Sequence, residues 1–181
     1  FNDHDASVLS VSVSTDGNMM FSGADNGIGR LWDLSNAEQI SVFSGHQSNN
    51  ALLRNVVGVY GKDDLTVLSG SYDSTLRLWS VATGLTIQEF RGHTDLVLDV
   101  AIASDDSSVL SGSADNRAIV WDIITGLPKV ELIGHQDDVY AVAYLPNNTQ
   151  VVTGDADGAI ILWDVNTGKE IRRFGAKIGK D

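Results

Sequence analysis

Ser111-Gly112-Ser113-Ala114-Asp115-Asn116-Arg117-Ala118-Ile119-Val120-Trp121-Asp122 stands downstream of Gly92-His93. The same pattern is written three more times: SGADNGIGRLW from Ser22 to Trp32, SGSYDSTLRLW from Ser69 to Trp79, and TGDADGAIILW from Thr153 to Trp163. Each copy opens on a hydroxyl residue ten positions before its Trp. The histidines His4, His46, His93 and His135 step by 42, 47 and 42, and the tryptophans Trp32, Trp79, Trp121 and Trp163 by 47, 42 and 42. These are all the His and Trp of the chain. A period this regular marks an array of similar units, each too small to bury its apolar face alone.

Within a unit, short apolar alternations are punctuated by turn residues, so the units read as strands joined by hairpins. The first unit gives Val8–Val13, Met19–Gly23, Ile28–Asp33 and Glu38–Phe43. The second gives Val56–Tyr60, Leu65–Gly70, Thr75–Val81 and Leu85–Phe90. The third gives Val97–Ala103, Ser107–Ser113, Arg117–Ile123 and Leu127–Leu132, and the fourth Val139–Tyr144, Thr149–Gly154, Ala159–Val165 and Lys169–Phe174. Thr83-Gly84, Thr125-Gly126 and Thr167-Gly168 fall at one repeated turn, where glycine admits left-handed geometry. Neither Pro128 nor Pro146 interrupts a strand interior. The second unit is five residues longer between His and hydroxyl, which predicts an inserted loop at about 47–55 carrying Leu52, Leu53 and Arg54.

The resulting division of 1–181 is one array: unit one 4–45, unit two 46–92, unit three 93–134, unit four 135–175, and a tail at 176–181. Phe1 matches Phe43 and Phe90, which close strands. It therefore reads as the close of a strand that begins upstream, and the chain as a segment of a longer protein.

Gly-His, the S-G-S-x-D turn and Trp-Asp at about 42 residues per unit resemble the WD-repeat (WD40) family over roughly residues 1–175. The resemblance implies an all-β fold of β-propeller blades: four four-stranded antiparallel sheets, a partial ring whose parent is expected to have seven blades. It also implies a hydrogen-bonded tetrad in each blade. The matching positions are His46, Ser69, Asp73 and Trp79; His93, Ser111, Asp115 and Trp121; and His135, Thr153, Asp157 and Trp163. In blade one they are His4, Ser22, Asn26 and Trp32, with Asn26 in place of Asp and expected to accept the His N–H. That tetrad is expected to be the weakest. Ser80 follows Trp79 where the other units have Asp.

A Ser/His/Asp trio invites a hydrolase reading, but a nucleophile needs one exposed hydroxyl with an oxyanion hole and a pocket. Four equivalent trios, each with a Trp, read as a structural network, so no catalytic residue is expected. Asp155-Ala156-Asp157-Gly158 suggests a calcium loop, yet position twelve from Asp155 is Asn166 rather than Glu. Asp155 reads as a solvated turn residue, and no metal or cofactor is expected.

The chain carries 12 Lys+Arg against 24 Asp+Glu, a formal charge of −12. Such a surface disfavours nucleic acid as a partner. Five of the basic residues, Lys169, Arg172, Arg173, Lys177 and Lys180, fall in the last 13 positions and read as a solvated strand and tail. There is no cysteine, which fits an intracellular, cytoplasmic setting, and no apolar run long enough for a membrane-spanning helix.

The resemblance implies a non-enzymatic scaffold binding protein segments within a larger assembly. The alternative is a targeting or sensing propeller whose catalytic domain lies outside this chain. Tyr72 and Tyr140, with Leu96, Leu98 and Arg54, are the candidate contact residues, because aromatic and Arg side chains dominate interface energetics. The apolar flanks of blades one and four are expected to meet further blades of the parent chain. Alternatively, two half-rings pair into an eight-bladed ring.

Overall fold

A computed structural model describes residues 4–46, 56–60, 63 and 65–175. Arg54 and the inserted loop at 47–55 lie outside the described residues, as does the tail at 176–181. Sixteen strands follow one another, and the described residues contain no helix. Blade one holds β1 (Val8–Val13), β2 (Met19–Ala24), β3 (Ile28–Asp33) and β4 (Gln39–Ser44). Blade two holds β5 (Val56–Tyr60), β6 (Thr66–Ser71), β7 (Thr75–Ser80) and β8 (Thr86–Arg91). Blade three holds β9 (Val97–Ile102), β10 (Ser108–Ser113), β11 (Arg117–Asp122) and β12 (Pro128–Ile133). Blade four holds β13 (Val139–Tyr144), β14 (Gln150–Asp155), β15 (Ile160–Asp164) and β16 (Glu170–Phe174). Each blade is one antiparallel sheet in sequence order. Pro128 stands at the first position of β12, where a missing N–H does least harm.

The first strands β1, β5, β9 and β13 lie side by side along the inside of the arc, and the fourth strands form its outside. Asp99 on β9 ties two blades together: its Oδ2 accepts the Val142 N–H of β13 at 2.8 Å. Burial pushes the Asp99 carboxyl up, against the opposing pull of the Val142 and Val100 N–H groups.

The core is three layers between blades rather than one centre. Phe21, Leu31 and Phe43 meet Val67 and Trp79. Leu68, Leu76, Leu78 and Phe90 meet Val97, Val100, Val109, Ile119 and Trp121. Leu110, Ala118, Val120 and Leu132 meet Val139, Val142, Val151, Ile161 and Trp163. Each blade therefore offers one face to its predecessor and the other to its successor. Among the described residues the two end faces have no blade against them. Val97 and Val100 are 0% and 3% exposed, while their blade-one equivalents Val8 and Val11 are 46% and 63% exposed. Phe90 is fully buried, and its blade-four equivalent Phe174 is 44% exposed.

The turn between third and fourth strands docks on the blade before it. A β-carbon built on Gly168 would sit 2.8 Å from Val130 Cγ1 on β12, and Gly126 abuts Gln88 of β8 in the same way. Gly84, Gly126 and Gly168 have φ of 68, 71 and 68°, and Ala37 of blade one has φ 62°. A non-glycine residue there costs about 1–2 kcal/mol of backbone strain, partly offset by its smaller entropy loss on folding. Ala37→Gly is therefore expected to stabilise the chain by about 0.5–1 kcal/mol. A lower denaturation midpoint in that variant would show that Ala37 is not strained.

Candidate functional site

The loop entering each blade, the second strand and the turn after it converge on one hydrogen-bonded chain. Trp32, Trp79, Trp121 and Trp163 donate their indole N–H to Ser22, Ser69, Ser111 and Thr153 at 2.7, 2.7, 2.8 and 2.8 Å. The same hydroxyls lie 2.8, 2.7, 2.7 and 2.6 Å from Nε2 of His4, His46, His93 and His135. Nδ1 of His46 and His93 faces Asp73 at 3.0 Å and Asp115 at 2.8 Å. A neutral ring with its proton on Nδ1 makes every bond run one way: indole to hydroxyl, hydroxyl to imidazole, imidazole to carboxylate. The hydroxyls are buried, so the network is a closed chain rather than an exposed nucleophile.

The Gly of Gly-His is there for closeness. A β-carbon on Gly45, Gly92 or Gly134 would stand 2.8–3.0 Å from the ring of Trp79, Trp121 or Trp163. Each Trp thus packs under the segment that carries its own tetrad His.

Blade four departs from the sequence expectation. The partner of His135 Nδ1 is Asp155, at 2.7 Å, and not Asp157, which is exposed. Asp155 Oδ1 also accepts the Ala159 N–H at 2.8 Å. The physical reason lies two residues upstream of the expected position. Blades two and three carry Ser71 and Ser113 there, whose hydroxyls accept the Asp73 and Asp115 N–H. A carboxylate in that place reaches the imidazole directly and closes the turn onto Ala159. Asp155 is therefore not the solvated turn residue expected from the sequence; its side chain is 1% exposed.

Blade one also departs. The Asn26 amide donates to Asp5 at 3.0 Å, and its oxygen accepts the Ile28 N–H at 3.2 Å. It does not take the expected role of acceptor for His4, because its short amide closes its own turn and the exposed Asp5 competes for it.

Several members of the network are invisible to repeat spacing. Arg117 reaches Asp115 at 2.9 Å, Glu131 at 2.9 Å and the Gly92 carbonyl at 3.2 Å. Thr75 donates to Asp73 at 2.6 Å. Burial pushes the Asp73 and Asp115 carboxyls up, but bonds from His46 and Thr75, and from His93, Thr94 and Arg117, outweigh it. Asp73 falls to about 2, and Asp115 lies well below the usual carboxylate range. A depressed folded-state pKa contributes stability that is complete above the unfolded value and lost as pH falls through the folded one. The part of the stability set by these two carboxylates is therefore expected to be complete above about pH 5 and to be lost between about pH 4 and 2, as read from the thermal midpoint. Asp115→Asn should flatten that fall. An unchanged acid slope in the variant would show that the tetrad carboxylate does not set it.

Of the other sequence candidates, Tyr140 on β13 is 57% exposed. Tyr72 in the β6–β7 turn, Leu96 just before β9 and Leu98 within it are half-buried. All four lie at the end of the blades where the tetrad turns and the entering loops sit. Among the described residues no three His, Cys, Asp or Glu side chains converge as a metal site. Among the described residues no helix is long and apolar enough to cross a membrane.

The comparisons with known proteins agree with this geometry. Relatives include GID complex subunit 7 of Schizosaccharomyces pombe, 33% identical over 94 residues, covering 52% of this chain and 18% of the relative. Eukaryotic translation initiation factor 3 subunit I of Neosartorya fischeri is 34% identical over 83 residues, 45% of this chain and 22% of the relative. U3 small nucleolar RNA-associated protein 15 homolog of Xenopus laevis is 28% identical over 82 residues, 45% of this chain and 15% of the relative. The matched stretches thus span less than a quarter of the length of these relatives. The model of the WD domain, G-beta repeat, matches residues 1–33, 37–80, 84–122 and 126–164. Those segments are offset from the sheets by one strand: the second takes in β4, which hydrogen-bonds in blade one, so consecutive units interlock. With four matches covering most of its length, a Trp–hydroxyl–His chain in every blade and four-stranded antiparallel sheets throughout, the chain belongs to the WD40 family of WD-repeat proteins.

Proposed function

We propose that the chain is a non-enzymatic platform for protein–protein interaction within a larger assembly. The observation that carries this reading is the fate of the hydroxyls. Ser22, Ser69, Ser111 and Thr153 are all buried and bonded to both Trp and His, leaving no exposed nucleophile in any copy. Relatives bear names of complex subunits, which supports an assembly role. Names referring to translation initiation and to nucleolar RNA support an intracellular setting. The acidic balance favours protein rather than phosphate backbone as the direct contact.

Tyr140, Tyr72, Leu96 and Leu98 form the proposed contact face; Arg54 is a sequence candidate outside the described residues. The exposed flanks of Val8 and Val11 on one side and Ile160 and Phe174 on the other supply the second kind of contact. They take further blades of the parent chain, or the matching flanks of a second copy in a paired ring. A targeting propeller with a catalytic domain elsewhere is the other reading, favoured by the small share of each relative that this chain spans.

Affinity capture with the wild-type chain and a Tyr72→Ala/Tyr140→Ala variant tests the platform reading. The expected result is a discrete protein set held by the wild type and lost from the variant. Equal capture by both would remove the tyrosine face from the account.

A further inference from the structure

A groove of about 430 Å³ opens between blades two and three, at the end of the blades opposite Tyr72 and Tyr140. Its wall from blade two is Leu65, Thr66, Leu78, Ile87 and Gln88, and its wall from blade three is Ile123 and Ile124. Asp63 and Asp106 also line it. Antiparallel hairpins put the first-to-second and third-to-fourth turns at this end, and the tetrad turns at the other.

The repeat itself shows that two of these residues, Leu65 and Ile124, are not needed to build a blade, whereas Leu78 belongs to the interblade core. Leu65 stands four before the tetrad hydroxyl, where the other units have Asn18, Ser107 and Thr149. Ile124 stands three after the tetrad Trp, where the others have Ser35, Ala82 and Asn166. Leu65 is 66% and Ile124 84% exposed, so neither contributes to the interblade core. At the junction of blades three and four the positions matching Leu65, Ile87 and Ile124 are Ser107, Lys129 and Asn166. At the junction of blades one and two they are Asn18, Ile40 and Ala82. Large apolar side chains at all three positions occur only at the junction of blades two and three. Exposed apolar area beyond structural need marks an interaction site.

We propose that this groove docks a protein segment presenting one or two large apolar side chains beside a lysine or arginine. The aliphatic walls accept the apolar side chains, and the carboxylates of Asp63 and Asp106 select the neighbouring cation. The volume lies within the ~300–1,000 Å³ range of ligand clefts. An acidic segment, a fatty acid carboxylate or a phosphate backbone meets the same carboxylates with the wrong sign.

The test uses this chain and an array of nine-residue peptides. Each carries two central residues drawn from Leu, Ile, Phe and Met, with Lys or Arg beside them; a matched set carries Glu instead of the cation. The wild type is expected to hold members of the basic set, and Leu65→Asp/Ile124→Asp to bind them at least about tenfold more weakly. Asp63→Asn/Asp106→Asn should keep the apolar preference and lose the preference for Lys or Arg. Asn suits the φ of 54° at Asp106, and this second variant decides the matter if the first does not fold. Tyr72→Ala/Tyr140→Ala should leave peptide binding unchanged, so failure here is separable from failure of the tyrosine face. The proposal is overturned if no peptide distinguishes the wild type from the groove variants, or if the Glu set binds equally well.

Discussion

Trp121→Ala is expected to lower the unfolding free energy by about 3–5 kcal/mol. Trp121 is fully buried in the layer between blades two and three, against Leu68, Leu78 and Phe90 on one side and Val109 and Ile119 on its own. Its ring meets Phe90 at 6.0 Å and His93 at 5.8 Å between centroids, both edge-on. Removing it opens a cavity beneath Gly92 and deprives Ser111 of its indole donor. Trp121→Phe separates the two losses: it keeps most of the ring and costs about 1–3 kcal/mol for the missing N–H partner. In a repeat array each unit leans on its neighbours, so hydrogen-exchange protection should drop most in blades two and three. A denaturation curve shifted by less than 1 kcal/mol would mean that the interblade layer does not carry the stability.

Asp155→Ala is expected to cost about 2–3 kcal/mol, and Asp157→Ala no more than about 0.5 kcal/mol. Asp155 holds His135 Nδ1 and the Ala159 N–H in a site closed to solvent, whereas Asp157 is exposed. Deleting a charged acceptor leaves two buried donors without their partner, which costs more than losing the bonds alone. The contrast is sharp because the residues are two apart in one turn and chemically identical. Equal effects, or a larger one at Asp157, would return the tetrad carboxylate to the position that repeat alignment assigns.

That pair also shows where the sequence stops being legible. The period of the His and Trp residues fixes the strand count, and hairpin punctuation places every strand end within about one residue. The tetrad hydroxyls and indoles are legible too, because their ten-residue spacing is set by antiparallel pairing of neighbouring strands. Asp155 was hidden because Asp155-Ala156-Asp157 offers two carboxylates, and only turn closure onto Ala159 selects between them. The bond of Asn26 is not legible in the repeat, because Asp5, 21 residues away, competes for its amide. Arg117 gathers Asp115, Glu131 and the Gly92 carbonyl from three different segments, and no local pattern announces such a convergence. The groove beside Leu65 and Ile124 is written in the sequence, but only as a departure from the repeat, and it becomes visible when the two blades are set side by side.

Every blade needs a neighbour on both faces, and among the described residues blades one and four each have one face open. The most direct measurement is the solution mass of the chain by light scattering over a concentration series, with a dye that reports exposed apolar surface. Dye binding is expected at low concentration and is expected to fall as the chain associates. A monomer at every concentration with no dye bound would contradict it, because Val8, Val11, Ile160 and Phe174 would then have to be covered within the chain itself.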